Sequence, residues 1–141
     1  MRNKPISKIL VPLDGSKNSI RGLKFALNLA KQTGSCIVGL NVCYIPAFIN
    51  PPPKIIEKKK QNCKKLISQA QAISKKSDVG FTGIIKTSKN IGKSIVTFAE
   101  NKKMDIIVIG SRGPDPEGGL FIGSVANYVI HKSDVPVTII K

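Results

Sequence analysis

Met104-Asp105-Ile106-Ile107-Val108-Ile109 is the stretch that decides the fold. Its apolar residues run on without polar alternation, so both faces of the strand it predicts are covered, as in the middle of a parallel sheet. Upstream, Ser7 to Leu13 is a second apolar run that ends in the turn and cap residues Asp14-Gly15-Ser16. Between them, strands are predicted at Cys36 to Tyr44 and Phe81 to Thr87, and a last one at Val135 to Ile140. Helical spacing fills the gaps. Ile20, Leu23, Leu27 and Ala30 form one stripe, stopped by Gly34. Cys63, Leu66, Ile67, Ala70 and Ile73 form a second, and Ile91, Ile95, Phe98 and Ala99, capped by Asn90, form a third. A short helix is expected from Ser124 to His131, and the prolines at 46 and 51 to 53 mark residues 45 to 54 as a loop. Five strands alternating with four helices predict one α/β domain over residues 1 to 141, an open doubly wound parallel sheet with helices on both faces.

Composition agrees with a single core of aliphatic residues. The chain has 141 residues, 41% of them hydrophobic but only 5% aromatic, and a chain of this length buries about two thirds of its unfolded surface. No apolar run reaches the length of a membrane helix, and the apolar run after Met1 to Pro5 is short for a signal peptide, so a cytoplasmic protein is expected. Cys36, Cys43 and Cys63 lack CxxC spacing and are read as reduced thiols packed as small hydrophobes. Lysine and arginine outnumber acids 23 to 8, a net charge of +15. Such a charge attracts polyanions. The eight lysines between Lys54 and Lys76 nevertheless lie on the polar side of an amphipathic helix without interleaved aromatics, so a solvated surface is the preferred reading and nucleic acid is not expected.

An open sheet of this kind binds ligands at the carboxyl ends of two neighbouring strands whose connections diverge. If the first and fourth strands are neighbours, Pro12-Leu13-Asp14 faces Gly110 there. Gly110 and Gly113 allow close approach of a bulky anion, Arg112 offers a cation, and Gly123-Ser124 opens a helix whose free N–H groups favour phosphate. Neither GxxxxGK[ST] nor a GxGxxG after the first strand is present.

The spacing Gly110-x2-Gly113-x9-Gly123-Ser124 resembles the ATP-binding signature of the universal stress protein family. Lys8-Ile-Leu-Val-Pro-Leu-Asp-Gly-Ser16 is similar to that family's first strand and turn, and Gly123-Ser-Val-Ala-Asn-Tyr-Val-Ile-His-Lys-Ser-Asp-Val-Pro-Val137 to its ending. The resemblance covers essentially the whole chain. It implies strand order 3-2-1-4-5, membership of the ATP-binding subgroup, and a homodimer, which the apolar edge strand 135 to 140 also predicts. It further implies that Asp14 holds the ribose or adenine edge beside Pro12 and Leu13, and that Val42 packs on the base. Gly110, Ser111, Arg112 and Gly113 would wrap the phosphates, Gly123, Ser124, Val125 and Ala126 would donate from the helix start, and Mg2+ or Mn2+ would bridge phosphate oxygens. Pro114 to Gly119 departs from the family in carrying Asp115 and Glu117.

Those two acids could position a water or metal, but without a partner base they read as loop residues. His131, the one histidine, is expected to serve the dipole at its helix end. No catalytic Ser-His-Asp or paired-carboxylate set is evident. The expected function is therefore regulatory ATP binding with slow or no hydrolysis. The alternative is a nucleotide-independent interaction protein that meets an acidic partner through its Lys-rich helix.

Overall fold

The computed structural model describes residues 4 to 46, 50 to 112 and 122 to 141. Nine elements follow in chain order: β1 (Lys8–Pro12), α1 (Lys17–Thr33), β2 (Cys36–Tyr44), α2 (Pro53–Lys76), β3 (Phe81–Ser88), α3 (Ile91–Asn101), β4 (Ile106–Gly110), α4 (Ser124–Lys132) and β5 (Val137–Ile140). The five strands form one parallel sheet of order β3-β2-β1-β4-β5, the order expected. β1 pairs with β4 through Ile9 beside Ile106 and Leu10 beside Ile107. From this pair the chain leaves β1 toward β2 and leaves β4 toward β5, so the two connections diverge.

Alternation along the strands builds two cores, since successive residues point to opposite faces. Ile9, Val11 and Ile37 face Leu23, Ala26, Leu27 and Ala30 of α1 and Ala70 of α2. Leu10, Leu40, Ile107 and Ile109 face Ile95, Phe98 and Ala99 of α3 and Ala126 and Val129 of α4. Leu10, Ile95 and Val129 are among the large side chains that are fully or almost fully buried. Helix ends follow their sequence signals. Ser16 caps α1 through its side chain to the Ser19 N–H, Asn90 caps α3 through the Lys93 N–H, and Gly34 closes α1 in the left-handed region at φ 72°.

Several boundaries differ from the sequence reading, each for a local reason. β4 starts at Ile106, not Met104, because the Asp105 side chain turns to bind the start of β1. β5 starts at Val137. The Ser133 hydroxyl takes the Val135 N–H, and Pro136 has no N–H to give the ladder, although its carbonyl accepts from Ile107. α2 begins at Pro53, inside the expected loop, because proline is tolerated at the first helical position. Cys36 is exposed rather than packed, whereas Cys43 is buried and Cys63 half-buried. Of the expected α2 stripe Ala70 is fully buried and Cys63, Leu66, Ile67 and Ile73 only partly, while Ser74 is buried with its hydroxyl donating to the Ala70 carbonyl.

Candidate functional site

At the carboxyl ends of β1 and β4 the sheet opens into a crevice of about 340 Å3. Pro12 and Leu13 line one side, Gly110 and Ser111 the other, and the start of α4 from Gly123 to Ala126 closes over the top. The floor is aliphatic: Leu40 and Val42 from β2, Ile91 and Ile95 from α3, and Ile109 from β4. Every described residue expected at the site lines it: Pro12, Leu13, Asp14, Val42, Gly110, Ser111, Arg112, Gly123, Ser124, Val125 and Ala126. Gly113, with Asp115 and Glu117, lies outside the described residues.

The backbone around the crevice is firmly held. The Leu13 N–H donates to the Leu40 carbonyl at 2.8 Å, and the Asn41 amide donates to the Leu13 carbonyl at 2.7 Å, which fixes the chain as it leaves β1. Asp14 is exposed, and its Oδ1 accepts the Ser16 N–H at 2.8 Å, so one carboxylate oxygen has no partner among the described residues. Opposite, Ser111 is a junction. Its N–H donates to the Ile140 carbonyl at 2.7 Å, its carbonyl accepts the Gly123 N–H at 2.6 Å, and its hydroxyl takes a long bond of 3.4 Å from the Asn18 amide of α1. The loop after β4 is thereby tied to β5, α4 and α1 together.

Close approach at this junction requires glycine. A Cβ on Gly110 would stand 2.8 Å from the Asn18 carbonyl carbon, a backbone atom that cannot swing aside. At the mouth, the first hydrogen bond of α4 is from the Asn127 N–H to the Gly123 carbonyl. The N-cap is Gly123, which has no side chain, so the N–H groups of Ser124, Val125 and Ala126 have no capping acceptor among the described residues. α1 and α3 satisfy such groups with Ser16 and Asn90. Three open donors and the positive end of a helix dipole therefore meet an aliphatic slot.

Sequence reasoning missed Ser19, Leu40, Ile91, Ile95 and Ile109. Leu40 had a readable signal, since it lies two residues before Val42 on the same strand face. Ile91 and Ile95 were legible only as core, because a stripe that lines a crevice floor has the same spacing as one packed on a sheet.

Chemically reactive groups are scarce here. Among the described residues no three of His, Cys, Asp and Glu cluster as a metal site. Cys43 follows Val42 on the strand. Burial, and then the hydrogen bond and charge interaction with Cys43, push the Cys63 thiol up to about 11. It stays protonated at neutral pH and is a poor nucleophile.

Comparison with known proteins agrees with the fold. The sequence model of the universal stress protein family matches residues 5–141. The chain belongs to that family. A universal stress protein of Methanocaldococcus jannaschii is 30% identical over 142 residues, covering 95% of this chain and 81% of the relative. UspA of Lactobacillus plantarum superposes with a TM-score of 0.86 at 20% identity, covering 99% of this chain and all of that one, a likeness of fold. A universal stress protein of Archaeoglobus fulgidus, solved in complex with dAMP, is 26% identical with a TM-score of 0.74, covering 98% of this chain and all of that one.

Proposed function

We propose that the crevice binds ATP and that the protein is a regulatory stress-response member of its family that holds the nucleotide with slow or no hydrolysis. The observation that carries this reading is the pairing of an aliphatic slot with the uncapped start of α4. A flat apolar base fits the slot and an anionic tail fits the donors. The dAMP complex of the Archaeoglobus relative supports an adenine nucleotide as the ligand. The glycine signature from Gly110 to Ser124 supports a longer phosphate tail.

In this arrangement Pro12, Leu13 and Val42 contact the base, and the open oxygen of Asp14 meets the ribose or the adenine edge. Gly110, Ser111 and Arg112, with Gly113, pass along the phosphates on one side. The N–H groups of Ser124, Val125 and Ala126 donate from the other, with Gly123 giving them access. The Ser111 hydroxyl already meets Asn18, so its contribution is backbone positioning. Mg2+ or Mn2+ would enter with the nucleotide and neutralise its phosphate charge, with Asp14 the one carboxylate among the described lining residues available to help hold it. That single carboxylate already accepts the Ser16 N–H, a poor arrangement for a general base.

β5 forms one edge of the sheet with half-buried side chains. A second copy pairing along this edge would cover it and give a homodimer. Nucleotide state would then alter the surface offered to a protein partner in the cytoplasm. No helix among the described residues is long and apolar enough to cross a membrane.

The test is to denature the purified protein, identify any released nucleotide by mass spectrometry, and measure the thermal shift on adding ATP with Mg2+. A bound adenine nucleotide, or a saturable shift of several degrees that Gly123→Val abolishes without unfolding the protein, is the expected result. No nucleotide and no shift would remove this reading and leave the Lys-rich helix α2 as the functional surface.

A further inference from the structure

On the α3 face of the sheet, a second cavity of about 400 Å3 lies between α3 and β3, and it shares no lining residue with the crevice. Its walls are cationic. Lys86 comes from β3, an edge strand, while Lys93 and Lys102 come from α3 and the residue that follows it. Residues 93, 97 and 101 form one row along the helix and 94, 98 and 102 the next, by the four-residue spacing of neighbours on a helix surface. Positions 93 and 102 are nine residues apart, about 14 Å along the helix axis but two and a half turns, so their lysines reach the cavity from opposite flanks of the helix. The Lys86 ammonium sits 5.6 Å from the centre of the Phe98 ring, part-way between them.

The cavity is built for a particular kind of anion. Among the described residues the one ion pair is Lys4 with Asp105, so none of these three lysines is paired with a carboxylate. Glu100 is the one acid of α3, exposed at the margin of the first row, and Lys89 and Lys103 add further positive charge nearby. Walls of unpaired like charge repel one another and attract counter-charge. Thr97 and Asn101 add uncharged donors, whereas the Ser94 hydroxyl is already given to Ser88 at 2.6 Å. Phe98 is 6% exposed, a floor under Lys86 rather than a platform. Single-stranded nucleic acid is held largely by stacking its bases on exposed aromatics, and this groove has none among the described residues. The charge borders the cavity on both flanks and over the length between them, at the open edge of a sheet, without a place for a base.

We infer that this groove is a binding site for a linear inorganic phosphate chain, with Lys86, Lys93 and Lys102 as its cations. It stands apart from the proposed nucleotide crevice, and either reading survives the failure of the other.

The experiment titrates the full-length protein with inorganic polyphosphate of about ten residues, longer than the roughly 14 Å axial span of the groove, and follows backbone amide shifts by NMR. Saturable shifts at residues 86 and 93 to 102 are expected. Replacing Lys86, Lys93 and Lys102 together by Met is expected to weaken binding about tenfold and to lower the slope of log K against log salt by about 2. The same change at three exposed lysines of α2, Lys58, Lys60 and Lys65, is expected to leave affinity within about twofold, since their exposed charges are remote and screened. Equal loss in both triple variants would reduce the effect to diffuse charge and overturn the site. Shifts confined to 110 to 112 and 122 to 126 would place the anion in the crevice instead. Tighter binding of an oligonucleotide than of polyphosphate at the same residues would also overturn it. All three replaced groove lysines are cationic side chains outside the two cores, so the thermal shift with ATP should be unchanged in that variant.

Discussion

Asp14 and Asp105 sit at opposite ends of the same pair of strands and have opposite surroundings. Asp105, at the entry to β4, is closed in. One of its carboxylate oxygens accepts the Ser7 N–H, the Ser7 hydroxyl and the Lys8 N–H, each at 2.9 Å, and the other meets Lys4 at 3.1 Å. Burial alone would raise this carboxyl, but the two backbone donors, then Lys4 and the Ser7 hydroxyl, outweigh it and hold it at about 2. Asp14, past the end of β1, is exposed and accepts a single N–H. Nearby, Ser124 to Ala126 keep open donors. The amino end of the sheet satisfies its polar groups internally, whereas the carboxyl end leaves them available, and only the second arrangement leaves donors for a ligand. Substitutions at the two ends should therefore separate stability from binding.

The largest effect is expected at Gly110, where the two ends are not separable. A valine there drives its Cβ into the Asn18 backbone and pushes α1 off β4. Overpacking of this kind costs about 3 kcal/mol, a fall of roughly 10 °C in Tm for a domain of this size. Because Asn18 also reaches Ser111, the crevice deforms and the thermal shift with ATP should vanish as well. A Gly110→Val protein that kept both its Tm and its shift would show that α1 and β4 are less closely apposed than their contact implies.

Asp105 comes next, and it should touch stability alone. Asp105→Asn removes the charge that the Ser7 and Lys8 donors and Lys4 share, and with its one oxygen kept on those donors it turns its NH2 toward the Lys4 ammonium, a loss of about 2 kcal/mol at neutral pH for hydrogen bonds to a charged group. The sign with pH follows from the depressed value. The folded carboxyl titrates at about 2 against an ordinary 3.8, so its contribution is full above about pH 4 to 5 and is lost as pH falls toward 2. Denaturant unfolding of both proteins from pH 7 to pH 2 should show curves that run parallel at the upper end and converge at the lower. ATP binding should be unaffected. A gap that persists at pH 2 would mean that the asparagine causes a steric defect unrelated to charge.

This contrast also shows what the sequence could and could not reveal. The crevice was legible because its determinants are backbone ones. Gly110, Gly123 and the Asp14-Gly15-Ser16 turn are residue types with few uses, and their spacing along two strands places them together once the strand order is known. The strand cores were legible from unbroken Ile and Val runs. The Asp105 network was not, because Ser7, Lys4 and Asp105 are ordinary surface residues whose meeting depends on three-dimensional register across 98 positions. The same holds for Asn18 with Ser111, and for the groove of Lys86, Lys93 and Lys102, whose lysines come from separate elements and were hidden in a chain already carrying +15. Boundary shifts at Met104 and Val135 arose where side chains, namely Asp105 and Ser133, took backbone N–H groups out of the ladder.

The smallest effect, and the sharpest test of the comparison, is expected at Asp14. Asp14→Asn keeps an oxygen for the Ser16 N–H, so the turn that starts α1 remains capped. Tm should move by no more than about 1 °C, as for most exposed sites away from a core. If the open carboxylate oxygen meets the ribose or adenine edge, the variant weakens ATP binding by one hydrogen bond. That amounts to about 0.5 to 1.5 kcal/mol, or roughly 2- to 12-fold in Kd by titration calorimetry. A large fall in Tm with no change in Kd would reverse the assignment and make Asp14 a structural residue like Asp105. Unchanged Tm and unchanged Kd together would move the ribose contact to another crevice residue.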